Sequence, residues 1–400
     1  MKKQYIIIGN GIAGVTAASV IRELDHKCHI YLIGEEQYKP YNRMRLSKGI
    51  LQNLNETNTR LKKEEWYDEQ KIHLICDKKV DNVDPINKCV YLEDESSLTY
   101  NGLLIASGAN NRELTIHGQK KGTHTIRRLE DLNQAKDDLE KAENILIVGG
   151  GIQGLEMAWE LSKGNKHVII VEKSSNLMPK QLDSEAAKRI EEKCKSHNIE
   201  LLLGTSIDSI FGENQVTSFT TNTGKSYNAD MIIYAIGIKA NVPHFKNIEL
   251  KTKEGVQVND RMMTNIDHVF AAGDVAEYNG HIFGLWNIAM EQAKVAAHNM
   301  VGHESLYNPP TPVTTMNAFN LPLFSMGVIN KSDSDEDVID YSKDQYHRIL
   351  LKDHQIIGAI SIGDIKHSPV LKKAIERKRI INNSDDVSFN DLLQILKESK

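Results

Sequence analysis

The chain has 400 residues, of which 40% are hydrophobic and 26% charged, and its formal net charge is -5. This composition is ordinary for a chain of several globular domains, and the acidic balance argues against a general nucleic-acid binder, which needs a basic surplus to neutralise phosphates. No apolar run approaches the roughly 18 residues of a membrane span, and the run at residues 5–8 is shorter than the roughly 7–15-residue core of a secretory signal, so we expect a cytoplasmic protein that binds neither nucleic acid nor membrane.

The first predicted element is a β-α-β unit with a glycine-rich turn. An apolar strand at residues 5–8 precedes Gly9, Gly11 and Gly14, and a helix-like stretch follows. A second apolar strand then leads to Glu35. In this G-x-G-x-x-G pattern the first glycine makes a tight turn, the second lets backbone approach a pyrophosphate, and the third lets the helix pack on the strand. The acid accepts hydrogen bonds from ribose hydroxyls.

The same unit recurs 140 residues later. A strand at residues 145–148 precedes Gly149, Gly151 and Gly154, and the next strand leads to Glu172. One such pattern is a weak signal, but two copies with complete strand and helix context predict a chain that binds two dinucleotides. Glu172 would repel a 2′-phosphate, which favours NADH over NADPH, although basic residues on either side of it weaken that preference.

The four cysteines do not form a recognised redox or metal-binding motif. Cys28, Cys76, Cys89 and Cys194 lie 48, 13 and 105 residues apart, so the sequence has no CxxC pair. This spacing argues against a dithiol relay and against a cysteine-ligated iron–sulfur cluster. We expect four buried, inert thiols, and the histidines show no metal-ligand spacing.

Three further segments identify a family. Residues 103–108, 231–237 and 264–275 resemble the A-[ST]-G strand, the second crossover strand and the second FAD motif of the FAD-dependent pyridine nucleotide oxidoreductases. The resemblance implies an α/β fold with two Rossmann-like domains, one for FAD and one for NAD(H), arranged as in glutathione reductase, plus a small C-terminal α+β domain. It assigns to FAD the residues Gly9, Gly11, Ile12, Ala13, Gly14, Glu35, Arg43, Lys48, Ala106, Ser107, Gly108, Gly273, Asp274 and Trp286, and to NAD(H) the residues Gly149, Gly151, Ile152, Gln153, Gly154, Glu172 and Gly237.

A second resemblance narrows the family. Residues 40–48 are similar to the P-Y-x-R-x-x-L-S-K stretch of ferredoxin-, rubredoxin- and nitrite-reductase-type flavoproteins, although Met44 replaces the usual proline. This implies that Lys48 stabilises negative charge near the flavin, and that Glu156 orients Lys48 or faces the nicotinamide. The alternatives are a solvated loop lysine and an acid that serves the helix dipole. Arg43 is placed near the FAD phosphates or ring, and Trp286 either shields the flavin or belongs to the core.

The predicted organisation is interleaved. Residues 1–111 and 241–308 form the FAD domain, residues 112–240 form the NAD(H) domain, and a proline-rich joint at 308–312 opens a C-terminal domain of residues 309–400. In that last domain two strands surround residues 352–354, and a helix with a basic run at 372–379 follows.

The tail resembles the C-terminal domain of rubredoxin reductases, and it sets the expected activity. We expect hydride transfer from NADH to FAD and then electron transfer to a small acidic carrier such as rubredoxin, which the basic run would steer. Two alternatives stay open: a reductase component for a nitrite- or ferredoxin-type acceptor, and an NADH-sensing flavoprotein that acts through a partner interface. The expected assembly is a monomer or a loose homodimer.

Overall fold

The computed structural model describes residues 2–114, 121–247, 249–381 and 387–398. These residues form three units, each built on its own β-sheet. The first unit begins with strands that alternate with helices because buried apolar runs at residues 4–8, 29–33 and 102–105 are separated by polar or amphipathic stretches. Its opening elements are β1 (Gln4–Ile8), α1 (Ile12–Leu24), β2 (His29–Ile33), α2 (Met44–Lys48), α3 (Glu56–Thr59), α4 (Glu64–Glu69), β3 (Ile72–Ile75), β4 (Val80–Asp84), β5 (Cys89–Leu92), β6 (Ser97–Thr99), β7 (Gly102–Ile105) and β8 (Ala109–Asn111).

The second unit repeats this pattern around another parallel sheet. The elements are β9 (Thr123–Thr125), α5 (Leu129–Lys141), β10 (Asn144–Val148), α6 (Ile152–Lys163), β11 (His167–Glu172), α7 (Ser184–Ser196), β12 (Ile199–Leu203), β13 (Ile207–Phe211), β14 (Ser218–Thr221), β15 (Ser226–Asn228), β16 (Met231–Tyr234) and β17 (Ile238–Ala240). The parallel strands run in the order β12-β11-β10-β16-β9, and β13, β14 and β15 form a separate antiparallel sheet.

The chain then returns to the first unit. The returning elements are β18 (Val256–Val258), β19 (Val269–Ala271), β20 (Ala276–Tyr278) and α8 (Trp286–Val301). Strand β19 pairs with β7, which completes a parallel sheet in the order β19-β7-β1-β2-β3, and α8 packs against α1. Where the chain leaves and re-enters the unit, β8 and β17 pair in antiparallel fashion.

The C-terminal unit is an antiparallel sheet with helices on one face. Its elements are β21 (Val313–Ala318), β22 (Leu321–Gly327), a 3-10 turn (Lys331–Asp333), β23 (Glu336–Tyr341), β24 (Tyr346–Lys352), β25 (Gln355–Ile362), α9 (Ser368–Glu376) and α10 (Phe389–Glu398). The sheet order is β21-β22-β25-β24-β23, and β24 and β25 form the expected hairpin around Asp353 and His354. The α/β fold class expected from the sequence is confirmed. Among the described residues, no helix is long and apolar enough to cross a membrane.

The two faces of the C-terminal sheet belong to different cores. Phe324, Ile349 and Leu351 pack with α9 and α10. Residues of the opposite face, including Leu323 and Ile360, belong to one apolar cluster with the second unit and with residues 41–54 of the first. The segment that carries Lys48 is therefore supported on several sides.

A buried ion pair also joins the C-terminal unit to the second unit. Asp183 Oδ1 accepts from the backbone N–H of Ala186 at the start of α7, while its Oδ2 accepts from the Arg348 guanidinium at 2.7 Å and from the Tyr346 hydroxyl at 2.6 Å. Arg348 also donates to Asp337, whose pKa lies below its usual range because its bonds to Arg348 and Lys331 outweigh its burial. The arginine neutralises two carboxylates that are largely shielded from water.

Two expectations need correction. The basic run at 372–379 does not lie within one helix. Lys372 and Lys373 are in α9, but α9 ends at Glu376, and Lys378 adopts a left-handed conformation (φ 50°). Arg377 and Arg379 therefore follow the helix, and α10 is a separate element. The thiols are also not uniformly buried, since Cys76 is only partly covered.

Replacing Arg348 with methionine should destabilise the joint between these units. The change leaves Asp183 buried without a counter-charge and leaves Asp337 with Lys331 as its partner. Removing one partner of a buried pair typically costs about 3–5 kcal/mol. Urea unfolding followed by far-UV circular dichroism measures the loss. Lys352→Met, at the exposed end of the same strand, is the control and should stay within about 0.5 kcal/mol of the parent. Equal stability of the two variants would contradict this account.

Candidate functional site

The first glycine-rich turn joins β1 to α1, and each of its glycines meets a different constraint. Gly9 has a φ of 108°, and a Cβ there would lie 2.1 Å from the carbonyl oxygen of Ala106. A Cβ at Gly14 would lie 2.0 Å from the carbonyl oxygen of Gly9. At Gly11, the N-cap of α1, an added Cβ meets no atom of the described residues within 4 Å. The first and third glycines are therefore required by packing, whereas the second borders open space.

The second turn, between β10 and α6, reproduces this geometry. Gly149 has a φ of 113°, and its Cβ would approach the carbonyl oxygen of Ala235 to 2.5 Å. A Cβ at Gly154 would lie 2.1 Å from the carbonyl oxygen of Gly149, and one at Gly151 meets nothing within 4 Å in the part of the chain that the structure describes. Each open glycine caps a helix N-terminus, where unsatisfied N–H groups and the helix dipole favour an anion. Both turns fit a dinucleotide pyrophosphate.

The first turn opens into a cleft of about 460 Å³. Several residues assigned to FAD from the sequence line it, namely Gly9, Gly11, Glu35, Arg43, Ala106, Ser107 and Gly108. Other cleft residues are basic and were not predicted: Lys78, Lys79, Arg127, Arg128 and His244. Glu35, Glu36 and Asp81 also line the cleft, and Arg128 pairs with Glu35, so the cleft presents basic groups for phosphates and carboxylates for hydroxyl groups.

Arg127 connects this cleft to the second predicted FAD motif. Its Nη2 donates to Asp274 Oδ2 at 2.6 Å, and its Nε donates to the carbonyl of Ala109 at 2.5 Å. The neighbouring Gly273 has a φ of 83°, and its Cβ would lie 3.2 Å from the Cβ of Ala13. The contacts thus bring Ala13, Gly273 and Asp274 together at the start of α1, beside the cleft.

Arg43 is held by a second set of contacts at the cleft. Its Nη2 lies 2.5 Å from Glu36 Oε1, and its guanidinium lies 5.1 Å from the centre of the Tyr41 ring. The Tyr41 hydroxyl donates to Glu36 Oε2 and accepts from the backbone N–H of Leu129, at the start of α5. Burial raises the pKa of Tyr41, so this hydroxyl stays protonated and able to donate. The network fixes the direction of Arg43.

Seven FAD assignments are not among the residues that line the described cleft: Ala13, Gly273 and Asp274, described above, then Lys48, and three others. Ile12 is partly buried at the first turn of α1, and Gly14 serves helix packing. Trp286 is the first residue of α8 and is partly buried. None of the three is among the residues that line the described cleft.

In the second unit, the terminal acid is fixed by the turn itself. Glu172 Oε2 accepts from the backbone N–H of Gly150 at 2.7 Å, and Oε1 accepts from Ser174 at 2.8 Å. Gln153 Nε2 donates to the carbonyl of Ile126. Each carboxylate oxygen of Glu172 keeps a free lone pair, so it can still accept from ribose hydroxyls. Gly237, with a φ of 100°, also faces open space.

Lys48 and Glu156 come together across the two units. Lys48 Nζ on α2 lies 3.4 Å from Oε1 of Glu156, the fifth residue of α6. Burial raises the pKa of Glu156, and the charge of Lys48 opposes that effect. Ser47 donates to the other carboxylate oxygen at 2.9 Å. The predicted catalytic pair thus forms a direct contact, with Glu156 buried and Lys48 half exposed.

Comparison with known proteins places the chain in a family. Residues 3–293 match the pyridine nucleotide-disulphide oxidoreductase family, and residues 312–379 match the rubredoxin NAD+ reductase C-terminal domain. The chain belongs to the pyridine nucleotide-disulphide oxidoreductases. The resemblance inferred from the sequence is confirmed, and with it the enzyme class and the cofactors of the family, FAD and NAD(H).

Individual oxidoreductases of this family align with nearly the whole chain. The nitrite reductase [NAD(P)H] of Bacillus subtilis is 30% identical over 393 residues, which cover 97% of this chain and 49% of that protein. This chain therefore spans about half the length of that relative. The NADH-rubredoxin oxidoreductase of Clostridium acetobutylicum is 29% identical over 393 residues, which cover 97% of this chain and 99% of that one. Its crystal structure aligns with a TM-score of 0.80 at 26% identity and covers 99% of this chain and 100% of that one.

Sequence patterns missed the basic residues of the cleft. Arg127 and Arg128 precede α5, far from either glycine turn, and Lys78 and Lys79 follow β3. The sequence did contain a signal for these cleft residues, because each basic pair lies in a loop next to a strand or helix of a Rossmann-like unit. What the sequence did not show is that the fold turns both loops toward one cleft.

Replacing Gly11 or Gly151 with valine should weaken the binding of one cofactor at a time. The open space around each Cβ means that neither change disturbs the protein, while the side chain occupies the phosphate path. Overpacking of about 1–3 kcal/mol corresponds to roughly tenfold to a hundredfold weaker binding. Gly11→Val should be purified with little flavin, and Gly151→Val should keep flavin but bind NADH weakly, as measured by absorbance and by calorimetry.

Gly14→Val is the contrasting variant, because its side chain would collide with backbone and lower the melting temperature. Normal flavin content together with normal NADH affinity in Gly151→Val would refute the assignment of the second turn.

Proposed function

We propose that this chain is an FAD-dependent NADH oxidoreductase that passes electrons from NADH, through FAD, to a small external carrier, most simply rubredoxin. The observation that carries the proposal is the pair of matching glycine turns, each with an open second glycine at a helix N-terminus. When bound, FAD supplies the hydride acceptance from NADH and the delivery of electrons to the carrier. The protein supplies binding, orientation and charge.

In this proposal the two units have distinct tasks. Residues 1–111 and 241–308 hold FAD, with Arg43, Arg127 and Asp274 at its phosphates and sugar chain. Residues 112–240 hold NADH, with Glu172 at the ribose, which favours NADH over NADPH. Lys48 and Glu156 stand at the junction of the units, where the reacting rings meet, and Trp286 lies beside the flavin. Residues 309–400 form the interface domain of a cytoplasmic monomer or loose homodimer.

The cysteine chemistry supports an external acceptor. Burial raises the pKa of Cys28, Cys76 and Cys194, in the last case to about 12, which keeps these thiols protonated and poorly nucleophilic. A dithiol relay would need two neighbouring cysteines, and the sequence spacing does not provide them. The match to a rubredoxin reductase C-terminal domain supports a carrier of that type.

The resemblance to the front half of a nitrite reductase supports a second candidate. In that case the acceptor is a nitrite- or ferredoxin-type centre on another polypeptide. The two candidates share the flavin chemistry and differ only in the acceptor. Steady-state assays with oxidised rubredoxin and with a [2Fe–2S] ferredoxin at equal concentration distinguish them.

An anaerobic NADH titration of the purified protein tests the shared step. We expect the visible flavin absorbance to bleach at one NADH per flavin, with NADPH less effective. Gly151→Val should need far more NADH for the same bleaching. An unchanged spectrum with both nucleotides would overturn the proposal.

A basic groove on the C-terminal unit supports an acidic partner. Lys373, Arg377, Arg379 and Lys397 line a groove of about 320 Å³ between α9 and α10. No ion pair joins these four side chains to any residue that the structure describes. The groove lies on the outer face of the C-terminal sheet, since the opposite face belongs to the core of the second unit. We propose that the groove guides a carrier rather than contacts the flavin. Its charges act over about 8 Å at physiological salt, so they attract a partner that approaches this face of the protein.

Neutralising this groove should slow the carrier reaction and leave flavin reduction unchanged. With Lys373→Gln/Arg377→Gln we expect kcat/KM for reduced-carrier formation to fall about threefold to tenfold at low salt, and its salt dependence to flatten. Lys188→Gln/Lys195→Gln, exposed lysines on α7, gives the same change in net charge as a control. Equal effects of the two double variants would rule out a role for the groove.

A further inference from the structure

Ser47 lies where the first and second units meet, at the penultimate position of α2. It is 6% exposed and faces Glu156, the fifth residue of α6, which is 8% exposed. The Ser47 hydroxyl donates to Glu156 Oε2 at 2.9 Å, and the ammonium of Lys48 lies 3.4 Å from Oε1. Two consecutive residues of one short helix therefore hold the two oxygens of a single buried carboxylate.

The two contacts differ in how firmly they can hold the carboxylate. Lys48 has a flexible side chain that is 52% exposed, so water competes for its ammonium. Ser47 is buried, and its hydroxyl has one rotatable bond between the oxygen and the backbone. An ammonium on a long stem cannot by itself fix the plane of a carboxylate, whereas a short buried donor can.

The surroundings of Glu156 make this donor important. Burial raises the Glu156 pKa and Glu160, one turn further along α6, adds to that effect, while Lys48 and Ser47 oppose it. A hydrogen bond to a charged group contributes about 1.5–3 kcal/mol. A protonated Glu156 carboxyl would no longer form an ion pair with Lys48.

We infer that Ser47 is a positioning residue: its hydroxyl holds Glu156 Oε2 and so directs Oε1 toward the Lys48 ammonium. The inference rests on the proposed function, in which Lys48 stabilises charge beside the flavin. Ser47 does not touch the reacting atoms and acts only through Glu156. Its removal should change how the site responds to pH more than it changes stability.

The test compares Ser47→Ala with Ser47→Thr in the FAD-loaded protein. Stopped-flow reduction by NADH should slow as pH falls through the Glu156 pKa, because the carboxylate charge is present above that pKa and lost below it. In Ser47→Ala the midpoint should rise by about one to two pH units, the equivalent of the lost hydrogen bond. Ser47→Thr keeps the hydroxyl and should return the midpoint toward the parent value. Ser47→Cys, a near-isosteric weak donor, serves if alanine does not fold.

A double variant separates positioning from packing. Glu156→Gln removes the titration, and adding Ser47→Ala to it should change the reduction rate little further, because the serine acts through the carboxylate. A structural role for Ser47 would instead lower the melting temperature, leave the pH midpoint in place and give additive effects. That combination of results would overturn the inference.

A readout that does not depend on NADH distinguishes this inference from the proposed function. Infrared difference spectra across pH report the protonated carboxyl band that Glu156→Gln lacks, and its midpoint should rise in Ser47→Ala. If NADH fails to reduce the parent protein while this shift is seen, the proposed function fails and the placement of Ser47 stands. If the band midpoint is the same with and without the hydroxyl, the placement of Ser47 fails.

Discussion

The close approach of backbone to backbone at the two glycine turns is the constraint on which the rest of the structure depends. Carbonyl oxygens occupy the places where a Cβ at Gly9, Gly14, Gly149 or Gly154 would lie. This lets each helix begin directly at the carboxyl end of its sheet, with its N-terminal amides exposed. Because the helix starts are fixed by contacts with no spare room, the residues that follow them, including Glu156 two positions after Gly154, are placed with the same accuracy.

Around these fixed turns, charge is arranged in pairs that join separate parts of the chain. Arg127 connects the entry to the second unit with Asp274 of the first, and Lys48 connects the first unit with Glu156 of the second. Arg348 connects the C-terminal unit with Asp183. Such partly buried pairs contribute little net stability compared with apolar packing, but they penalise wrong arrangements because an unpaired buried charge is costly. They specify how the units fit together.

Local patterns predicted the two glycine turns, because each turn depends on neighbours within about 20 residues. The segment at residues 264–275 was assigned by family resemblance. Contacts between distant segments could not be predicted from local patterns. Arg127 and Asp274 are 147 residues apart, and Ser47 and Glu156 are 109 apart, so no spacing rule connects them. The prediction of one helix through residue 379 was wrong for another reason. Lys378 adopts a left-handed conformation that is uncommon for a residue with a side chain. The pairing of Lys48 with Glu156 was expected from family resemblance rather than from spacing.

The inner face of the C-terminal sheet shares its apolar core with the second unit and with residues 41–54. The C-terminal unit is therefore not an interchangeable module. Grafting the corresponding part of a relative onto this chain would replace half of a packed core. The mismatch in packing would disturb the segment that carries Lys48. Substitutions on the outer, helical face, by contrast, contact a different apolar cluster and leave the core shared with the second unit intact.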